Sequence, residues 1–209
     1  MNQIRCSAIV LSARAYGESD QVVSVLTLEH GRLRCFARAA RKSRKRMGSL
    51  LEPGNRLELI MRLKDEGLSS LDRVEQVTGL LNFRERLESL ALLMYAAELV
   101  ELLTPEAVPL PRLFRLLTAL LDRLSDRSGN MADRRFFEIN LLNILGYRPL
   151  LDADDLHPLQ RCLMTGNFGR VSFDGPALIR CGNLLDAEIS RHVSRQPKSR
   201  AFLDNLLSV

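Results

Sequence analysis

Tryptophan is absent from the 209 residues, and phenylalanine and tyrosine bring the aromatic share only to 5%. Flat platforms on which nucleobases could stack are therefore scarce, which steers any nucleic-acid reading toward the phosphate backbone. Four cysteines, Cys6, Cys35, Cys162 and Cys181, are scattered without the dense spacing of a secreted disulfide framework, and read as reduced thiols. No apolar stretch reaches the roughly 18 residues that cross a bilayer. The opening MNQIRCSAIVLSARAYGESD lacks the apolar run and small-residue cleavage site of a signal peptide. A cytoplasmic location with no membrane partner is the expectation.

Catalytic signatures are missing as well. There is no G-x-x-x-x-G-K-[ST], no G-x-G-x-x-G after a strand, no G-x-S-x-G and no H-E-x-x-H. His30, His157 and His192 read as exposed polar residues rather than bases. The acidic trio Asp152, Asp154 and Asp155 lacks the glycine and distal glutamate of a calcium loop and reads as linker. A four-cysteine zinc site takes two C-x-x-C pairs, yet Thr165 and Leu184 stand where the partners of Cys162 and Cys181 would be. No cofactor, no metal and no enzymatic step are expected.

What the sequence does hold is a cationic segment, RLRCFARAARKSRKR from Arg32 to Arg46, without one Asp or Glu. The whole chain carries +5; Arg32, Arg34, Arg38, Arg41, Lys42, Arg44, Lys45 and Arg46 account for +8, and the remainder is −3. Basicity confined to one segment of an otherwise mildly acidic chain points to a docked polyanion. The segment starts in an alternating, strand-like stretch and is densest in the turn after it, which suits a phosphate backbone lying along a surface.

Up to about Val77 the chain reads as strands: Ile4 to Ala15, Gln21 to Leu28, Arg32 to Ala39, Arg56 to Lys64 and Leu68 to Thr78, punctuated by turn residues at 16–20, Gly31, Pro53-Gly54 and 65–67. In RLELIMRLK, Leu57, Leu59, Met61 and Leu63 share one face, and only Ile60 breaks the alternation. Five short strands suit a closed barrel of the oligonucleotide-binding (OB) type, with an SH3-like barrel as the alternative. From Asn82 the period becomes helical. Phe83, Leu87, Leu90, Met94 and Ala97 form one stripe, and Leu113, Leu117, Leu120 and Leu124 another. A third helix runs from Ala132 to Leu145 and ends at Gly146, a natural left-handed cap. After Pro149 the chain reads as irregular until an amphipathic helix from Leu184, interrupted at Gln196-Pro197, and a last one from Arg200 to Leu207.

In this order the pieces resemble a known family, the bacterial recombination mediator RecO. The residues that carry the likeness are A-I-V-L-S-A-R-A-Y-G-E-S-D at 8–20, A-R-A-A-R-K-S at 37–43 and L-L-E-P-G at 50–54. Tyr95 with Glu98-Leu99 adds Y-x-x-E-L, and 137–149 adds F-E-x-x-L-L-x-x-L-G-Y-x-P. Two departures stand out. Ala39 occupies a position where such proteins often have glycine, a change expected to cost little if the backbone is ordinary. The C-terminal segment keeps only one cysteine of each zinc pair.

The resemblance implies an α+β chain: an OB-fold barrel at 1–79, a helical domain at 80–150, a degenerate zinc-finger-like segment lacking metal at 151–183, and a helical segment at 184–209 packing on the helical domain. It implies binding of single- and double-stranded DNA, annealing of complementary strands, and action with RecR to load RecA on strands coated by single-stranded-DNA-binding protein, in the cytoplasm at the nucleoid; the eight basic residues of the cationic segment are the expected phosphate contacts. The apolar surplus around Leu113, Leu117, Leu120 and Leu121 is a candidate groove for the tail of that coating protein. Two rival classes share parts of the pattern: an RNA-binding OB-fold accessory protein, and a phosphoryl-transfer enzyme, which would need paired carboxylates.

Overall fold

Alternating apolar residues curl the first part of the chain into a barrel. A computed structural model describes residues 3–42, 49–64, 67–76, 85–151 and 156–207. The strands are β1 (Gln3–Tyr16), β2 (Asp20–Thr27), β3 (Gly31–Ala37), β4 (Arg56–Arg62) and β5 (Ser69–Gln76). They close in the order β1-β2-β3-β5-β4. Neighbours are antiparallel except β3 and β5, which run parallel at Cys35–Ser69 and Phe36–Ser70. This closure is the OB arrangement and resolves the choice against an SH3-like barrel. Val10, Val23, Val25, Leu33, Cys35, Leu57, Leu59 and Met61 fill the interior, while Ile60 sits half-buried outside it. A bulge between Val10 and Ser12 re-aims β1.

The connection from β3 to β4 is rooted in the barrel at both ends. Ala40 and Leu51 are fully buried in the core and Leu50 packs against it. The Asn55 amide donates to the carbonyls of Ser49 at 3.0 Å and Leu50 at 2.9 Å.

Six helices are described: α1 (Leu87–Leu103), α2 (Pro111–Asp126), α3 (Met131–Leu145), α4 (His157–Thr165), α5 (Gly175–His192) and α6 (Ser199–Leu207). By contacts the chain forms two compact units. Residues 1–81 with 104–114 make the barrel unit, and 82–103 with 115–209 the helical unit.

Three features of the helical part differ from the sequence expectation. In α1, Leu87 and Met94 are exposed, whereas Leu92, Leu93, Tyr95, Ala96, Leu99 and Val100 are buried. LESLALLMYAAELVELL is apolar nearly all round, so spacing alone does not select its buried face. Leu113, Leu117, Leu120 and Leu121 are fully buried, so these leucines form core and no open groove for a partner tail. Finally, the stretch read as irregular and finger-like contains α4 and the first half of α5. Its apparent breakers are helix ends: Pro158 and Pro176 sit in first turns, Asp174 caps α5 by accepting the Ala177 N–H at 2.6 Å, and Gly166 closes α4 at φ 64°.

A buried charge cluster holds the helical unit together. On α3, the Arg134 Nε donates to Glu138 Oε1 at 2.8 Å and Arg135 Nη1 donates to Oε2 at 2.7 Å. The Tyr95 hydroxyl also donates to Glu138, at 2.7 Å, and the Arg134 guanidinium lies 4.7 Å from the Tyr95 ring centre. Arg134 reaches Asp204 on α6 and Asp186 on α5, and Arg200 closes the circuit to Asp186 at 2.7 Å. Burial alone would raise the Glu138 carboxyl; Arg135 and Arg134 outweigh it and hold it below the ordinary range. The F-E of the F-E-x-x-L-L motif is thus structural. A Cβ at Gly182 on α5 would run into the Arg135 guanidinium, which accounts for glycine there.

Candidate nucleic-acid interface

Strand β3 begins at Gly31, whose φ of 69° suits glycine and where a Cβ would overlap the Val108 carbonyl. Alternation then puts Leu33, Cys35 and Ala37 inside the barrel and Arg32, Arg34 and Phe36 outside. The first two arginines are tied down within the barrel unit. Arg32 donates through Nη2 and Nε to the Thr104 carbonyl at 3.0 and 3.3 Å and pairs with Glu106 at 3.3 Å; its side chain is only 13% exposed. Arg34 pairs with the same Glu106 oxygen at 2.5 Å and is 54% exposed. The Ala107 N–H donates to the Arg32 carbonyl at 2.8 Å. Together they pin the 104–107 segment to β3.

Past β3 the arrangement changes. Ala39 adopts φ 52°, a left-handed conformation costly for a residue with a Cβ. This corrects the expectation that glycine's replacement here costs little. The turn is clamped to the β1–β2 hairpin: the Ala39 N–H donates to Asp20 Oδ1 at 2.7 Å and the Arg41 N–H to the Ser19 carbonyl at 2.9 Å. Arg41 Nη1 donates to the Gly17 and Glu18 carbonyls at 3.1 and 3.3 Å, neutral acceptors, so among the described residues its charge is left unmatched. Arg38 and Lys42 are exposed, and among the described residues neither has a carboxylate partner. Arg44, Lys45 and Arg46 lie outside the described residues. Of the eight expected contacts, then, Arg38, Arg41 and Lys42 are exposed on the turn held to the β1–β2 hairpin, while Arg32 and Arg34 share an internal carboxylate.

Three cations elsewhere on the barrel have carboxylate partners. Arg5 meets Glu58 and Glu75, Arg62 meets Asp72 at 2.9 Å, and Arg73 meets Glu75. Composition counted these residues but did not show which were neutralised.

All four thiols are buried, and three of them are held neutral. Burial pushes Cys6 and Cys35 up to about 12, and burial with Cys181 nearby does the same to Cys162. With Thr165 and Leu184 at the other positions, Cys162 and Cys181 do not fit a zinc centre. No group of three metal-ligating side chains forms among the described residues. Among those residues, too, no helix is long and apolar enough to cross a membrane.

Comparison with known proteins places the geometry. The model of the N-terminal part of recombination protein O matches residues 1–80, and that of the C-terminal part matches 84–155. The DNA repair protein RecO of Pelobacter propionicus is 41% identical over 97% of both chains. That of Geobacter sulfurreducens is 41% identical over 99% of both, and that of Geobacter metallireducens 38% over the same share. The chain belongs to the RecO family. Its OB barrel is the RecO N-terminal domain, and the family is one of DNA repair and recombination proteins.

Proposed function

We propose that the chain is a recombination mediator. It binds single- and double-stranded DNA, anneals complementary strands and, with RecR, promotes RecA loading on strands coated by single-stranded-DNA-binding protein, at the nucleoid and without covalent chemistry. The observation that carries the reading is the exposed positive charge of Arg38, Arg41 and Lys42 on the turn after β3, without a carboxylate partner among the described residues. Such charge neutralises phosphates without reading sequence, and two strands screened on one surface repel each other less. Arg44, Lys45 and Arg46 extend the same segment, and Arg34 contributes only what Glu106 leaves over.

If about five phosphates are engaged, log K falls against log salt with a slope of about −3.5 on single strands and −4.5 on duplex. The test pairs this titration with fluorescence annealing of strands coated by the single-strand-binding protein. Charge reversal by Arg38→Glu with Lys42→Glu flattens the slope and slows annealing. An unchanged salt dependence would remove the turn from the mechanism. Competition by RNA of equal length, with RNA preferred, would favour the RNA-binding alternative.

A further inference from the structure

The sequence offers few aromatic side chains, yet the fold brings two of them together on the outside of the barrel. Tyr16 at the end of β1 and Phe36 on β3 meet edge to face, with centroids 5.4 Å apart and planes at 83°. Strand β2 lies between them, and Val22 pairs with Arg14 on one side and Phe36 on the other. Phe36 is half-buried, whereas Tyr16 is 60% exposed. A single exposed tyrosine is unremarkable. This one is braced by a second ring and leads directly into Gly17, Glu18 and Ser19, whose carbonyls hold Arg41.

We propose that Tyr16, braced by Phe36, is a stacking platform for one unpaired base of a single strand whose phosphates lie on Arg38, Arg41 and Lys42. This rests on the DNA-binding reading above and adds what the cations cannot supply. Phosphates are common to single strands and duplex, but only an unpaired base offers a free face to a protein ring. A ring already held by its neighbour loses little freedom when a base covers it. The platform thus tilts a charge-driven, sequence-blind surface toward single strands.

The experiment measures affinity of the full chain for an oligothymidine, a duplex of equal length and an abasic oligonucleotide of equal charge. Tyr16→Ala weakens oligothymidine binding by about ten-fold, leaves duplex affinity and the salt slope as they were, and makes oligothymidine bind like the abasic strand. Tyr16→Phe keeps full affinity. Because the chain has no tryptophan, Tyr16→Trp installs one emitter at this position alone. Oligothymidine quenches it; the abasic strand does not. If the unmodified protein binds DNA and Tyr16→Ala matches it on all three ligands, or loses single strand and duplex equally, the platform is overturned while the DNA-binding reading stands. If the unmodified protein binds none of them, both fall together.

Discussion

Two sets of cations in this chain differ in how their charge is met. Arg134 and Arg135 are buried in the helical unit, surrounded by Glu138, Asp186 and Asp204 and by the Tyr95 ring. Arg38 and Lys42 on the barrel turn have no carboxylate among the described residues. A buried charge without a counter-charge costs several kcal/mol, so the interior supplies partners for each. A solvated one costs almost nothing, so a concentration left unmatched on the surface is available to a partner from outside. Arg32 and Arg34 stand between these cases, facing outward but joined to Glu106.

The strongest way to break this comparison is to remove the interior counter-charge. Glu138→Gln leaves two buried guanidinium groups short of a carboxylate and should lower stability by about 3–5 kcal/mol in denaturant unfolding; a loss under about 1 kcal/mol would mean that charge does not hold these helices. Next comes Glu98 on α1, which accepts the Ser199 N–H at 2.9 Å and hydroxyl at 2.7 Å at the start of α6, and the Arg195 guanidinium at 2.6 Å. Burial raises its carboxyl, but the Ser199 and Arg195 donors prevail and hold it at about 2, against 4.5 ordinarily. A carboxyl lowered on folding contributes stability that is complete above about 4.5 and is lost as pH falls toward 2. Glu98→Gln should therefore cost about 1–2 kcal/mol at neutral pH and erase that acid limb in a circular-dichroism titration; an identical limb in the variant would assign it to other groups.

Smaller effects sharpen the contrast at the turn. Ala39→Gly relieves the left-handed backbone and should raise the melting free energy by up to about 1 kcal/mol, checked by calorimetry; destabilisation would show that the Cβ is used. Smallest of all, Arg38→Glu with Lys42→Glu should move stability by less than about 0.5 kcal/mol. A large shift there would mean the exposed cations serve the fold rather than a ligand.

What was legible in the residues follows from how local each signal is. Leu57, Leu59 and Met61 alternate within one strand, and their inward placement needed no distant partner. The cap at Gly146 was equally local. By contrast, Glu106 reaches Arg32 and Arg34 from far along the chain, and the meeting of Tyr16 with Phe36 exists only once β2 lies between them. Nothing in the run RLRCFARAARKSRKR marks which arginines are already spoken for. Helix α4 and the first half of α5 are not legible in the sequence because proline and glycine interrupt a run when seen mid-helix but start and finish one at its ends. Ala39 looked innocuous since its φ is set by the hairpin contact through Asp20.

The rooting of the β3–β4 connection has an evolutionary corollary. Ala40 and Leu51 are core residues, and Asn55 fastens the returning end. Beside those anchors the side chains of Arg41 and Lys42 are exposed, so a change of charge at either leaves the interior packing as it is. Grip on a polyanion and thermal robustness can consequently drift as separate traits, so lineages facing different salt conditions could retune the one and inherit the other unchanged.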